Sequence, residues 1–131
     1  MGQTRRVSKL STQPLSPLDG RYSAQVKDLG EYLSEAGLNR ARIQVEIEWL
    51  IWLANRNLLG TNTTISGVEE KQLRSLSEEF DDKAVAELAK LEATTKHDVK
   101  AVEYYIRAAL TKLGRDDLAE LVHFGCTSED I

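Results

Sequence analysis

Three short clusters in this sequence have residue types and spacing suited to chemistry on an anionic substrate. The first is Asp19-Gly20-Arg21-Tyr22, which follows Pro14 and Pro17. A guanidinium offers a planar fork of donors that matches phosphate or carboxylate oxygens, and a stiff turn before it reduces the entropy lost on binding. Tyr22 adds a stacking face and a hydroxyl. The second is Thr94-Thr95-Lys96-His97-Asp98, ahead of a strongly helical stretch. Asp98 is expected to cap that helix. The threonine hydroxyls, Lys96 and the first backbone N–H groups would hold an anion, and His97 would donate to an oxygen or carry a proton near neutral pH. The third is His123-Phe124-Gly125-Cys126-Thr127-Ser128, with two adjacent hydroxyls where a new helix starts. Each cluster also has a plain structural reading: a surface arginine beside a packed tyrosine, a capping loop, and an ordinary helix cap with a buried small cysteine.

Counting removes other chemistries. Two histidines 26 positions apart and one cysteine make no zinc set with recognised local spacing. There is no phosphate-binding Walker loop, no dinucleotide glycine fingerprint and no G-x-S-x-G elbow. Nothing in the sequence marks Cys126 as an activated thiol.

Composition bounds the class. The chain has 131 residues, 41% hydrophobic and 29% charged, with a formal charge of −4. That suits one domain and argues against global disorder. The mild acidity speaks against nucleic acid or an anionic membrane as partner. Residues 1–13 differ: they carry Arg5, Arg6 and Lys9 and no acid, leaving −7 on the remainder, and read as a flexible basic arm. A lone Cys126 allows no internal disulfide, no apolar run reaches membrane-span length, and the N-terminus lacks a secretory apolar core. A soluble cytoplasmic protein is the expectation.

The elements that must position these clusters are helices. Only 8 Gly and 2 Pro punctuate the chain, too few for many short strands. Residues 14–22 read as a bend, with Asp19 bonding its own backbone and Gly20 supplying positive φ. Residues 23–36 read as a modest helix with Val26, Leu29 and Leu33 near one face, stopped by Gly37. Residues 38–57 alternate like a strand, yet run too long for one. They read as a helix apolar round most of its circumference and buried on several sides. After a loop over 58–67, helices are expected at 68–80, 82–93 and 98–113. The last carries Val99, Val102, Ile106, Ala109, Leu110 and Leu113 in one stripe, with Glu103 and Arg107 on the wet side. A short helix over 116–124 ends at Gly125. Thr127-Ser128-Glu129-Asp130 then reads as another helix start, so the 131 residues are expected to be a fragment.

Taken together, SPLDGRY (16–22), ARIQVEIEWL (41–50), TTKHDVKAVEYY (94–105) and HFGCTSEDI (123–131) resemble the adenylosuccinate lyase family of the fumarase/aspartase superfamily. The resemblance covers nearly everything from residue 14 onward. It implies an all-α, N-terminal helical domain over 14–131, without the superfamily's central helical bundle. It also implies a C–N lyase that releases fumarate from adenylosuccinate, giving AMP, and from succinyl-aminoimidazole carboxamide ribotide. No cofactor or metal is implied, and the full-length parent is expected to be a homotetramer.

Residue by residue, the resemblance implies that Arg21 and Tyr22 bind the nucleotide's phosphate side. Lys96, His97 and Asp98 form a substrate-binding loop, although the family often has Asn or Arg where Lys96 stands. Thr127 and Ser128 touch the succinyl side. His97 and His123 have supporting catalytic roles. The family's general acid lies in a THGQ-like segment and its general base in a GSSxMPxKxNP-like loop, and neither occurs in these 131 residues. The chain alone is therefore expected to be inactive. The alternatives are another lyase of the superfamily and a stand-alone helical interaction module that uses the 38–57 helix to bind a partner.

Overall fold

A computed structural model describes residues 13–131 and divides them into two compact units, 13–34 and 35–131. The basic arm expected at the N-terminus lies outside the described residues, apart from Gln13. Among the described residues every regular element is helical, as an all-α reading requires. None of these helices is long and apolar enough to cross a membrane.

In the first unit, Asp19 ties the bend together. Its carboxylate accepts from the Leu15 N–H (3.0 Å), the Ser16 N–H (2.6 Å) and the Ser16 hydroxyl (3.0 Å). Gly20 is needed for a different reason from the one expected. Its φ is not positive; a Cβ there would meet the Ser16 carbonyl oxygen at 3.2 Å. The helix expected over 23–36 is shorter and broken. A 3₁₀ turn at Lys27–Leu29 leads into α1 (Gly30–Leu33), which ends at Ser34 in extended conformation. Leu29 and Leu33 are exposed.

The second unit opens with α2 (Glu35–Arg56), so Gly37 does not stop a helix but lies buried in the first turn of this one. The strand-like alternation is overridden, as the length of the run predicts. One face of α2 is fully packed: Ile43, Ile47, Leu50 and Ala54 are at most 1% exposed. The other apolar stripe is not buried. Ala41, Val45 and Trp52 are exposed, and Trp52 stacks on Trp49 with ring centroids 5.1 Å apart. Stacking shields part of each ring without core burial.

Three helices complete the packing. α3 (Gly67–Glu78) starts at Ser66, whose hydroxyl accepts from the Glu69 N–H while the Glu69 carboxylate accepts from the Ser66 N–H at 2.8 Å. This reciprocal box satisfies two donors that the first turn leaves unpaired. α4 (Asp82–Thr95) is capped by Asp81, which accepts from the Ala84 N–H at 2.9 Å. α5 (Asp98–Lys112) packs on α4 and α2, and α3 packs on α2. The core joins the α2 residues to Leu73, Leu88, Val102, Ile106 and Leu110, closed by Leu118, Leu121 and Val122. Each such side chain contributes about 1.5–3 kcal/mol by leaving water.

Two expectations about this region are corrected. Glu103 is not on the wet side of α5: its side chain is 5% exposed and is clamped by Lys100 (2.8 Å) and Arg107 (3.0 Å). The helix expected over 116–124 is a 3₁₀ segment, Asp116–Leu121, that ends before His123. Arg115 fixes its start. It grips Asp117 with two bonds of 3.0 Å, Glu69 at 2.5 Å and the Thr64 carbonyl at 3.0 Å.

Candidate functional site

In the second unit, α2 carries a second pattern that periodicity alone does not advertise. Asn39, Arg42, Glu46 and Trp49 follow one another at intervals of three, four and three residues, so they share a face. That face holds two of the three candidate clusters.

Arg42 holds the cluster at 94–98. Its guanidinium meets Asp98 at 2.8 Å and Asn39 at 3.3 Å. Asp98 is therefore not the cap of α5 but its first residue. The cap is His97, whose Nδ1 accepts from the Lys100 N–H at 3.2 Å. The Asp98 carboxylate instead accepts from the Val99 N–H at 2.9 Å. That bond, and then Arg42, hold its pKa below the usual carboxylate value. The Thr95 hydroxyl donates to the His97 carbonyl (2.9 Å) and accepts from the His97 N–H (3.3 Å). The donors expected to hold an anion at this helix end are thus largely occupied by the protein's own groups. What remains outward is the ammonium of Lys96, carried on a left-handed residue (φ 55°), and the Nε2 edge of the half-exposed His97. These groups line a polar recess of about 340 Å³ with Glu35, Asn39, Arg42 and Asp98.

Glu46 and Trp49 hold the cluster at 123–128. Glu46 is fully buried; its carboxylate accepts from the His123 N–H at 3.1 Å and lies 2.5 Å from His123 Nδ1. The Trp49 indole N–H donates to the Phe124 carbonyl at 2.8 Å. His123 adopts φ 62°, a conformation costly for a residue with a side chain. The bonds from α2 hold it there. Gly125, at φ 74°, turns the chain onward. Burial raises the pKa of the Cys126 thiol, and Glu46 and Asp130 push it further. Thr127 is exposed and Ser128 half-buried. Asp130 accepts from the Thr127 N–H at 2.7 Å, closing a 3₁₀ turn at Ser128–Asp130.

Arg21 and Tyr22 belong to the first unit. There the guanidinium stacks on the tyrosine ring, 5.2 Å from its centroid, and both side chains are exposed. No group of acids, histidines and cysteine able to hold a metal occurs among the described residues.

No family model matches the chain. Curated proteins do. The chain is 37% identical along its whole length to the adenylosuccinate lyase of Dictyostelium discoideum. It is 36% identical over 92% of its length to that of Escherichia coli K12, and 38% over 89% to that of Haemophilus influenzae. Over the segment it spans, the chain is homologous to the adenylosuccinate lyases. That segment amounts to 29%, 27% and 26% of these three relatives. The chain thus spans little more than a quarter of the lyases it matches.

Reading from sequence missed the adenylosuccinate lyase segment's internal supports: Asn39, Arg42, Glu46 and Trp49. For Glu46 a signal existed. It is an acid three residues after Ile43 and four before Leu50, inside the apolar stripe.

Proposed function

We propose that this chain is the N-terminal, substrate-binding part of an adenylosuccinate lyase of purine biosynthesis. The observation that carries the reading is the α2 face, which holds the His97 loop and the His123 turn at positions one helical turn apart. Two polar segments gripped by one rigid helix suit a cradle that must keep its shape while charge moves.

The reaction removes a proton beside a carboxylate and expels the purine or carboxamide nitrogen, leaving fumarate. Negative charge builds on the carboxylate in the transition state, so fixed donors accelerate the step more than flexible ones. In this reading Arg21 and Tyr22 take the phosphate side. Lys96, His97 and Asp98 shape the loop over the substrate, and the hydroxyls of Thr127 and Ser128 take succinyl oxygens. His97 and His123 support the acid and base, which belong to segments outside these 131 residues. The complete enzyme would be a cytoplasmic homotetramer acting on small nucleotides rather than nucleic acid.

A fumarate-release assay tests the division of labour. The full-length protein should convert adenylosuccinate to AMP, and the 131-residue chain should not. Turnover by the isolated chain, or a full-length protein inert toward both succinyl nucleotides, overturns the reading.

A further inference from the structure

Glu46 sends both carboxylate oxygens to a single residue. One accepts the His123 backbone N–H and the other lies against Nδ1 of the same side chain. The pairing spans 77 positions of sequence, and the carboxylate is buried at 0% exposure. Such an acid is costly to bury and needs its partners. The imidazole, by contrast, keeps about a fifth of its surface open. Its free edge carries Nε2.

We propose that Glu46 is a positioning residue that keeps a hydrogen on Nδ1 of His123, leaving Nε2 as the one ring atom able to give or take a proton at the substrate. This rests on the reading of His123 as a substrate-facing residue. The chemistry is a matter of donors and acceptors. An ionised carboxylate only accepts, so Nδ1 must carry the hydrogen. The other carboxylate oxygen already accepts the His123 backbone N–H at 3.1 Å, so Glu46 faces this residue as an acceptor on both sides.

His97 is wired the other way. Its Nδ1 accepts the Lys100 N–H, so its hydrogen sits on Nε2, and a proton added at Nδ1 would break the cap of α5. One protein thus offers two imidazole edges of opposite character. Neutral His97 presents a donor at Nε2, and neutral His123 presents an acceptor there. A donor edge suits a carboxylate or phosphate oxygen; the His123 edge, able to take a proton and return it, suits a group whose protonation changes during elimination.

Nitrogen-15 NMR of the ring signals, recorded on the chain at a pH where both imidazoles are neutral, reads the tautomers directly. His123 should show a protonated Nδ1 and a bare Nε2, and His97 the reverse. A bare Nδ1 on His123, or the tautomer mixture of free histidine, overturns the proposal. In the full-length lyase, Glu46→Gln should lower kcat by about tenfold or more with a smaller change in KM. The two bonds go to different oxygens of Glu46, and an amide places an NH2 donor where one of those acceptors stood. In a His123→Ala background the same change should cost little further activity. An equal loss with and without the ring means that Glu46 acts on the fold alone and overturns the positioning role. If His123→Ala leaves turnover untouched, the substrate-facing reading fails, while the spectrum still decides the tautomer.

Discussion

Arg42 and Glu46 lie one turn apart on α2 and grip different loops: Arg42 meets Asp98 at 2.8 Å, and Glu46 meets His123 at 2.5 Å. Four residues of helix rise about 6 Å, so the two anchors are close and rigidly related. Opposite charges on one face hold the His97 loop by its acid and the 123–126 turn by its imidazole.

Removing the first anchor should loosen its loop without unfolding the protein. Asp98 is about half exposed, and pairs of that kind contribute about 0–1 kcal/mol. Arg42→Ala should therefore lower stability by about 1 kcal/mol or less in urea titration, while KM of the full-length enzyme rises several-fold. A large stability loss with unchanged KM would show that Arg42 serves the core instead.

Arg21 is expected to act on the nucleotide and not on the fold. It is exposed, and its guanidinium rests on the Tyr22 ring. Arg21→Ala in the full-length enzyme should weaken nucleotide binding several-fold or more, because a charge-assisted hydrogen bond contributes about 1.5–3 kcal/mol. Calorimetric titration with AMP checks this, and unchanged affinity would remove Arg21 from the site.

The sequence made much of this legible, for physical reasons that can be named. The α5 stripe from Val99 to Leu110 repeats at helical spacing and is buried along its length, apart from the half-buried Ala109. The length of the α2 run outweighs its strand-like alternation. Burial of individual positions was less accessible. Glu103 looks like half of an exposed ion pair, yet Lys100 and Arg107 reach over it from both sides. Val45 and Trp52 look like core and remain exposed. The Glu46–His123 pair depends on a contact between distant parts of the chain, which local periodicity does not encode.

Core packing gives a third prediction. Ile106 and Leu110 are fully buried on the face that α5 turns toward the core. Ile106→Ala should cost about 2–5 kcal/mol, from lost burial and the cavity left behind. Val45→Ala, on the exposed face of α2, should change stability by less than about 0.5 kcal/mol. Chemical denaturation of the two variants side by side tests which α2 and α5 faces carry the fold.

Acid sensitivity gives a fourth. The Glu69 pKa is lowered from its ordinary 4.5 to about 2, first by the Ser66 hydroxyl, then by the Ser66 N–H and Arg115. A carboxyl lowered by folding stabilises the native state above its ordinary value and ceases to do so as pH falls toward the folded one. The thermal midpoint should therefore drop as pH falls from 4.5 toward 2. Glu69→Gln, which can still complete the capping box, should make that drop shallower. Ser66→Ala should cost about 1 kcal/mol at neutral pH through loss of the cap.

A crystal structure of the full-length protein with adenylosuccinate bound is the most direct test of the cradle. The phosphate should lie within hydrogen-bond reach of Arg21, succinyl oxygens at the hydroxyls of Thr127 and Ser128, and Nε2 of both His97 and His123 should turn toward the substrate. A substrate seated with these groups facing elsewhere would contradict the cradle.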